Sequence, residues 1–447
     1  MSEFIRSKKR SSSKQRSAVH DQSKLDAGCS HTDSGSSCPV GKIHVLAAVL
    51  LLFASYAVAD ENGSYDTFTL RGFGTLGLVY NNDGDADYLR DISQPDTFGD
   101  PLSYTQDSLL GVQFEYRPHP SLGITVQALS KYRYDGSYKP EINWAFVNLR
   151  PTPATNLRLG RLGLEAFFRS DSLNIGYSLL WSRPPVDYYG HQNLLRFDGA
   201  DLTQTFSLGE DNLRIKAFGG WINLKLPTVL PGEILDMNAS PMYGVTGEYQ
   251  AMDWTVWLGT AHMQSNTSTE SVDTLVESLR LTGIAYHVPT AVSLANELDT
   301  KGKYYHYYSL GLAREEGPWR IQMAISHLDS DALSYPDNTA AFLSVGYRIE
   351  RWTPYVMVAG VTTQTLSINS GLGSQVDQQI ETELAKSYMD QKTLSVGSRY
   401  DLTDKMCLKL QVDRVKSKVN PSLLWANETA AWDGNATLFS TTLDFVF

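Results

Sequence analysis

The feature that most limits how this chain can fold is the rhythm of its links. From residue 68 onward, runs of alternating hydrophobicity occupy 68–80, 108–116, 122–134, 142–150, 157–164, 194–206, 213–222, 242–249, 254–263, 304–314, 319–327, 342–349, 353–363, 393–400, 406–415 and 437–447. A period of two is that of a strand with two chemically different faces. After the even runs come short turns, such as Arg-Pro-His-Pro-Ser at 117, Leu-Gly-Glu-Asp at 208 and Glu-Glu-Gly-Pro at 315. After most odd runs the links are long, at 81–107, 165–193, 223–241, 264–303, 364–392 and 416–436. An up-and-down barrel makes this pattern, because its turns gather on one rim and its loops on the other.

The fold class expected is therefore all-β: a transmembrane up-and-down antiparallel β-barrel of about 16 strands, with short periplasmic turns and long extracellular loops. In a bilayer each unsatisfied backbone N–H or C=O costs several kcal/mol, so a sheet crosses only when it has no free edge. A mean hydropathy of −0.26 agrees, since half of each strand faces water in the lumen. A secreted sandwich, propeller or solenoid is the competing reading; its loops need not alternate in length, and no fixed repeat is visible. Three stretches inside long loops have helical spacing: 271–281, 289–298 and, more weakly, 375–389. They read as lids or as surface decoration, and decoration is favoured.

No stretch after Asp60 has eighteen apolar residues free of charge, which excludes helical membrane spans there. Residues 43–59 are apolar, follow Lys42 and end in Ala57-Val58-Ala59, so they read as a signal peptide cut before Asp60, with an anchor helix as the alternative. The Ser, Lys and Arg-rich residues before that run are too many for a signal n-region, and translation is expected to start at Val40. Residues 1–59 then form a removed extension and 60–447 a single barrel domain. Cys29 and Cys38 leave with the extension, so Cys407 stands alone and no internal disulfide forms. The exported part is more acidic than the formal charge of −11, which argues against nucleic-acid binding.

Alternation also assigns faces. Arg71, Lys131, Arg133, Arg214, Lys216, Arg320, Arg348, Arg399 and Lys409 each oppose an apolar set on their own strand. A charge on the lipid face costs about 2–4 kcal/mol at the midplane, so these nine point into the lumen. The inward acidic set is smaller: Glu115, Asp413 and Asp444. Other carboxylates collect in the first long loop, at Asp83, Asp85, Asp87, Asp91, Asp96 and Asp100. That loop lacks the glycine and glutamate of an EF-hand and reads as a solvated acidic segment. Tyr80, Tyr116, Trp319 and the run 304–308 read as girdle aromatics, while Trp181, Tyr188 and Tyr189 read as girdle residues or a sugar-stacking track.

Catalytic chemistry is absent. The histidines at 119, 191, 262, 287, 306 and 327 form no close pair in sequence and no HExxH, and neither a nucleophile elbow nor a P-loop occurs. No enzyme activity, cofactor or metal is expected.

Several strings resemble a group of proteobacterial porins broadly akin to the phosphate-selective type: RGFGTLG at 71, YDGSYKPEINWAF at 134, GRLGLEAFF at 160, WSRPPVDYYG at 181 and DGAD at 198. The chain's last residues look like the insertion signal of Gram-negative outer-membrane barrels, with Phe439, Leu443, Phe445 and Phe447 on one face and Asp444 on the other. The resemblance implies a homotrimer in the cell outer membrane of a Gram-negative bacterium, in contact with lipid and lipopolysaccharide and placed by the barrel assembly machinery. It also implies passive diffusion of small hydrophilic solutes and a loop, here 165–193, folded into the pore as a constriction. The Pro-Glu-Phe-Gly-Gly string of enteric general porins is missing from that loop. Within it Arg169 and Arg183, with Arg161 at its base, would set an anion preference, and Glu165, Asp171 and Asp187 would hold them. An equal reading is that all these charges pair and brace the loop. Two other functions remain open: a channel specific for phosphate, sulfate, an organic acid or an oligosaccharide, and a sealed barrel acting as an adhesin through loop 264–303.

Overall fold

The computed structural model describes residues 67–94, 101–191, 194–228, 232–418 and 422–447. The expected signal peptide, the start at Val40, and Asp96 and Asp100 lie outside the described residues. Sixteen long strands run in chain order: β1 (Thr67–Asn81), β2 (Leu109–His119), β3 (Leu122–Lys131), β4 (Glu141–Thr152), β5 (Thr155–Gly163), β6 (Arg196–Leu208), β7 (Asp211–Pro227) and β8 (Ile234–Gln250), then β9 (Trp254–Gln264), β10 (Tyr304–Glu316), β11 (Trp319–Ser330), β12 (Asn338–Tyr347), β13 (Trp352–Thr363), β14 (Asp390–Thr403), β15 (Met406–Ser417) and β16 (Asn435–Val446). Each pairs antiparallel with its neighbour in sequence, and β1 pairs with β16 from Phe73↔Val446 to Asn81↔Leu438. The sheet is therefore closed and leaves no edge, the condition a membrane imposes.

The outer surface carries the apolar half of the alternation. Leu70, Leu76 and Leu78 on β1, Val356 and Val358 on β13, and Leu408 and Leu410 on β15 are all exposed. At the seam Phe445 and Phe447 lie over Gly74 and Gly72, where an added Cβ would sit 2.4 and 2.1 Å from their rings. Phe447 exchanges backbone hydrogen bonds with Gly72 at 2.9 Å in both directions, so even the last residue is tied into the wall.

Two boundaries differ from the sequence expectation. The link expected at 223–241 is largely strand: β7 and β8 continue as a hairpin as far as Ile234↔Pro227, with a bulge between Met237 and Ser240. A polar pair, Lys225 to Asp236 at 2.8 Å, holds this extension above the apolar zone, where hydropathy alternation no longer marks a strand. The helical stretches become α2 (Glu270–Ala285), α3 (Pro289–Leu298) and α4 (Ser374–Ala385), which share an apolar core of Val276, Leu279, Leu294, Leu298, Ile380 and Leu384. Rather than separate decoration, the three helices form one packed cap at the long-loop rim. A four-residue helix α1 (Val186–Tyr189) sits in the loop between β5 and β6.

The acidic first loop is tied down rather than merely solvated. Its strand Asp87–Tyr88 pairs with Trp425–Ala426 of the last loop. Asp85 accepts from Thr429 Oγ1 at 2.8 Å, Asp87 from Asn427 Nδ2 at 2.7 Å, and Asp91 pairs with Lys131 at 3.3 Å.

Candidate functional site

The loop 164–195 leaves β5, enters the lumen, and returns to β6. Its path is set by where its aromatic side chains can leave water. Phe167, Phe168, Leu179, Trp181, Tyr188 and Tyr189 are buried together with inward residues of the wall, among them Phe218, Trp257, Phe342, Tyr355 and Met357. Fully burying side chains of this size contributes about 1.5–3 kcal/mol each. Trp181 stands edge-on to Phe342 at 5.3 Å and donates to Ser344 Oγ at 2.7 Å. Trp181, Tyr188 and Tyr189 are thus neither girdle residues nor an exposed stacking track; they are the loop's anchors.

Polar clamps complete the attachment. Arg183, only 2% exposed, meets Asp107 and Asp413 at 2.8 Å each, donates also to Ser440 Oγ, and lies 5.1 Å over the Tyr88 ring. Lys409 and Asp444 pair at 3.0 Å, both fully buried, and Lys409 Nζ donates to the carbonyls of Gly176 at 2.6 Å and Trp181 at 2.9 Å. Thr75 Oγ1 donates to Asp444 at 2.5 Å. Gly176 is the point of closest approach: a Cβ there would lie 2.0 Å from Asp444 Oδ1 and 2.5 Å from Thr75 Oγ1. Near the short-turn rim Tyr177 donates to the Asp404 carbonyl at 2.7 Å, and Arg399 donates to the carbonyls of Tyr177 and Leu179 at 2.6 and 3.0 Å.

The opposite wall is different. On β2, β3 and β4 the inward side chains Gln113, Gln127 and Asn143 form a hydrogen-bonded ladder, Asn143 to Gln127 and Gln127 to Gln113 at 2.8 Å, continued by Gln113 to Glu115 at 2.6 Å. Inward positions of β2 grade from buried Leu109 through half-buried Gln113 and Glu115 to exposed Arg117, whereas on β13 and β15 they are buried almost throughout. A chamber of 420 Å³ opens on this side, lined by Lys131, Arg133, Glu141, Asn143 and Arg196 among others.

Every one of the nine lumenal cations has an acidic neighbour. Arg71 lies 3.9 Å from Glu115, Lys131 is paired with Asp91, Arg133 with Glu141, and Arg214 with Glu248 at 2.9 Å. Lys216 pairs with Glu165, Arg320 with Glu315 at 3.7 Å, Arg348 with Asp401 at 3.7 Å, Arg399 with Asp401 at 2.7 Å, and Lys409 with Asp444. The six residues expected at the constriction do not come together. Arg161 shares a cross-strand row with Asp198 and the exposed Trp221, so it is on the outer face, bonded to Asp198 at 2.7 Å. The β5 strand turns Leu159 and Arg161 outward and Arg158 inward, which reverses the expectation for Arg161. Arg169 reaches Glu315 at 3.3 Å. Asp171 is exposed, and Asp187 is buried at the start of α1, where burial raises its carboxyl to about 6. Glu165 holds Arg158 at 3.1 Å, together with Lys216. The acids that hold the three arginines are therefore Asp198, Glu315, and Asp107 with Asp413, not Glu165, Asp171 and Asp187.

Sequence reasoning missed Arg158 and Asp107. Arg158 stands between Leu157 and Leu159, a signal that alternation could have given; Asp107 precedes its strand and carries none. His262 and His306, remote in sequence, are cross-strand partners on the outer face with their Nδ1 atoms 2.6 Å apart. Among the described residues no group of three or more metal-ligating side chains forms.

No protein-family model matches the sequence, and no curated protein matches it significantly. Among solved structures the chain is similar to OmpF of Salmonella typhi in complex with daunomycin, at 12% identity and a TM-score of 0.52 over 86% of this chain and 98% of that one. It is also similar to the trimer form of OmpT, an outer-membrane protein of Vibrio cholerae, at 12% identity and a TM-score of 0.51 over 86% of this chain and 100% of that one. The likeness shows a shared fold, the closed porin-like antiparallel barrel.

Proposed function

We propose that this protein is an outer-membrane channel of a Gram-negative bacterium through which small hydrophilic solutes diffuse down their gradients. One observation carries the reading: the inserted loop is clamped to the wall of β10 to β16 and β1, while a chamber of 420 Å³ with a largely polar and charged lining stays open beside β3 and β4. Solute passage follows that chamber along the side of the lumen that the loop leaves free. The mechanism is sieving by the loop, with no covalent step. Planar-bilayer recording of the purified full chain tests it: stepwise currents are expected, and a barrel that gives none is sealed.

At the finer level the channel prefers anions and is akin to the phosphate-selective type. What supports this is local: Lys131, Arg133 and Arg196 line the side chamber against Glu141, and rings of basic side chains favour anions in a narrow pore. Because the lumenal cations are paired, the preference is weak. A reversal potential on the cation side would overturn it.

The outer pair Arg161–Asp198, joined by Asn223 at 2.9 Å, is costly if it faces lipid. A homotrimer that covers this patch removes that cost, and the Vibrio cholerae protein has a trimer form. Cross-linking of the native assembly, with three protomers expected, tests the point.

A further inference from the structure

Above the loop, at the long-loop rim, lies a cavity of 1140 Å³. Its walls are the rim ends of β7 to β11, its floor is the inserted loop, and its roof is the helical cap. Ile222, Leu226 and Met242 from the strands, Phe167 from the loop, and Val272 and Leu275 from α2 make its lining mainly apolar. Ligand pockets are typically about 300–1,000 Å³, so this chamber holds a molecule of that class with room for water. A hydrophilic vestibule has no use for such a surface: apolar walls exclude the polar solutes a sieve passes.

A second observation points to an occupant. His191 lines the cavity, is 7% exposed, and neither of its ring nitrogens has a hydrogen-bond partner among the described residues. Thr267 Oγ1 and Ser334 Oγ, which also line it, are likewise unpartnered. Buried polar groups are nearly always satisfied, and leaving one unpaired is costly. Burial pushes the His191 imidazole down to about 4, so it is neutral at ordinary pH and offers one donor and one acceptor. Among the described residues no acid or base is bonded to it, and an anionic head group in the cavity would find only Lys386, which is already paired with Glu383 at 2.6 Å.

We infer that this cavity binds a neutral amphipathic molecule, an aromatic or aliphatic body with one hydroxyl or carbonyl group, whose polar end hydrogen-bonds to His191. The inference rests on the channel reading in one respect: the bound molecule would enter from outside and pass the inserted loop. It names a substrate class different from the anions of the chamber beside β3 and β4.

The test uses the full-length barrel in phosphatidylcholine nanodiscs, with 2-naphthol as probe, calorimetry as readout and empty nanodiscs as the partition background. Saturable binding above background is expected, with naphthalene-2-sulfonate at least tenfold weaker. Ala261→Trp and Leu226→Trp each fill the cavity and should weaken binding at least tenfold. His191→Phe keeps the volume and should weaken 2-naphthol about five- to tenfold, one hydrogen bond's worth, while leaving naphthalene unchanged. A heat-dependent gel shift confirms that each variant is folded; if a tryptophan variant is not, the other decides, and the sulfonate and His191→Phe comparisons stand without either. Binding no stronger than to empty discs, or binding indifferent to the folded variants, overturns the inference. Conductance recorded on the same preparation separates the two readings: current without binding removes this one alone, and binding without current removes the channel alone.

Discussion

The two sides of the lumen are made from the same alternating strands and behave differently. On β13 and β15 the inward row is buried from rim to rim, because an aromatic loop lies against it and buried ion pairs fasten it. On β2 to β4 the inward row is a ladder of neutral amides, each hydrogen-bonded to the next, with Gln127 and Asn143 buried and Gln113 half-buried. The first wall is fastened by aromatics and buried charges, the second by neutral amides. What separates them is the occupant, since a barrel interior has no polarity of its own until something fills it. A buried ion pair contributes little net stability compared with an apolar pair, yet removing one partner is severe, because the other stays buried and charged. The clamped wall is therefore specific and brittle, whereas the amide wall, whose buried rungs are neutral, is more tolerant.

That contrast can be broken most directly at Arg183. Arg183→Met leaves Asp413 buried without a counter-charge and Asp107 with only Arg90 at 3.9 Å, and should cost about 3–5 kcal/mol in urea unfolding; single-channel conductance should rise as the loop detaches. Gly176→Val attacks the same contact by volume. Its side chain cannot share space with Asp444 and Thr75, and overpacking of this kind costs about 1–3 kcal/mol, again with increased conductance. On the amide wall Gln127→Leu removes two neutral ladder bonds and leaves the buried Asn143 Nδ2 without its acceptor, for a loss of about 1–3 kcal/mol and an unchanged unitary current. A drop in stability there as large as that of Arg183→Met would erase the distinction between the walls.

Charge reversal sharpens the comparison of inner and outer faces. Arg133→Glu, in the open chamber, should move the reversal potential toward cations, and Arg161→Glu, on the outer face, should leave it where it is. Equal shifts would return Arg161 to the pore. The smallest effect concerns the long-loop rim, where burial raises Glu428 to about 7 while both its oxygens accept from the Ser422 amide at 2.9 and 3.0 Å. The folded loop binds a proton that the unfolded one releases at its ordinary 4.5. Its stability is then highest below that value and declines as pH rises through 7. Limited proteolysis of the loop between residues 422 and 434 should be faster at pH 8 than at pH 5, and Glu428→Gln should flatten that dependence.

How much could be read in advance depends on range. All sixteen strands were legible because each is a local period-two pattern, and the helices of the cap because Pro289 and the spacing of Val272, Leu275, Val276 and Leu279 are local too. Strand extension past Ile222 was not, since polar residues can pair backbones as well as apolar ones. The inward set at Lys131, Lys216 and Lys409 followed from alternation with neighbours on the same strand. Alternation says nothing about which acid from another strand arrives opposite, so Asp107 and Asp413 for Arg183, and Asp198 for Arg161, were out of reach.

By itself, then, the sequence determined a closed membrane barrel, because the cost of bare backbone in lipid leaves an alternating chain no other way across. Only the tertiary structure decided what the barrel contains. Buried Trp181, Arg183 and Lys409 acquire their roles from partners more than a hundred residues away, and such long-range pairing is set by the space left inside the closed wall, which no local pattern records.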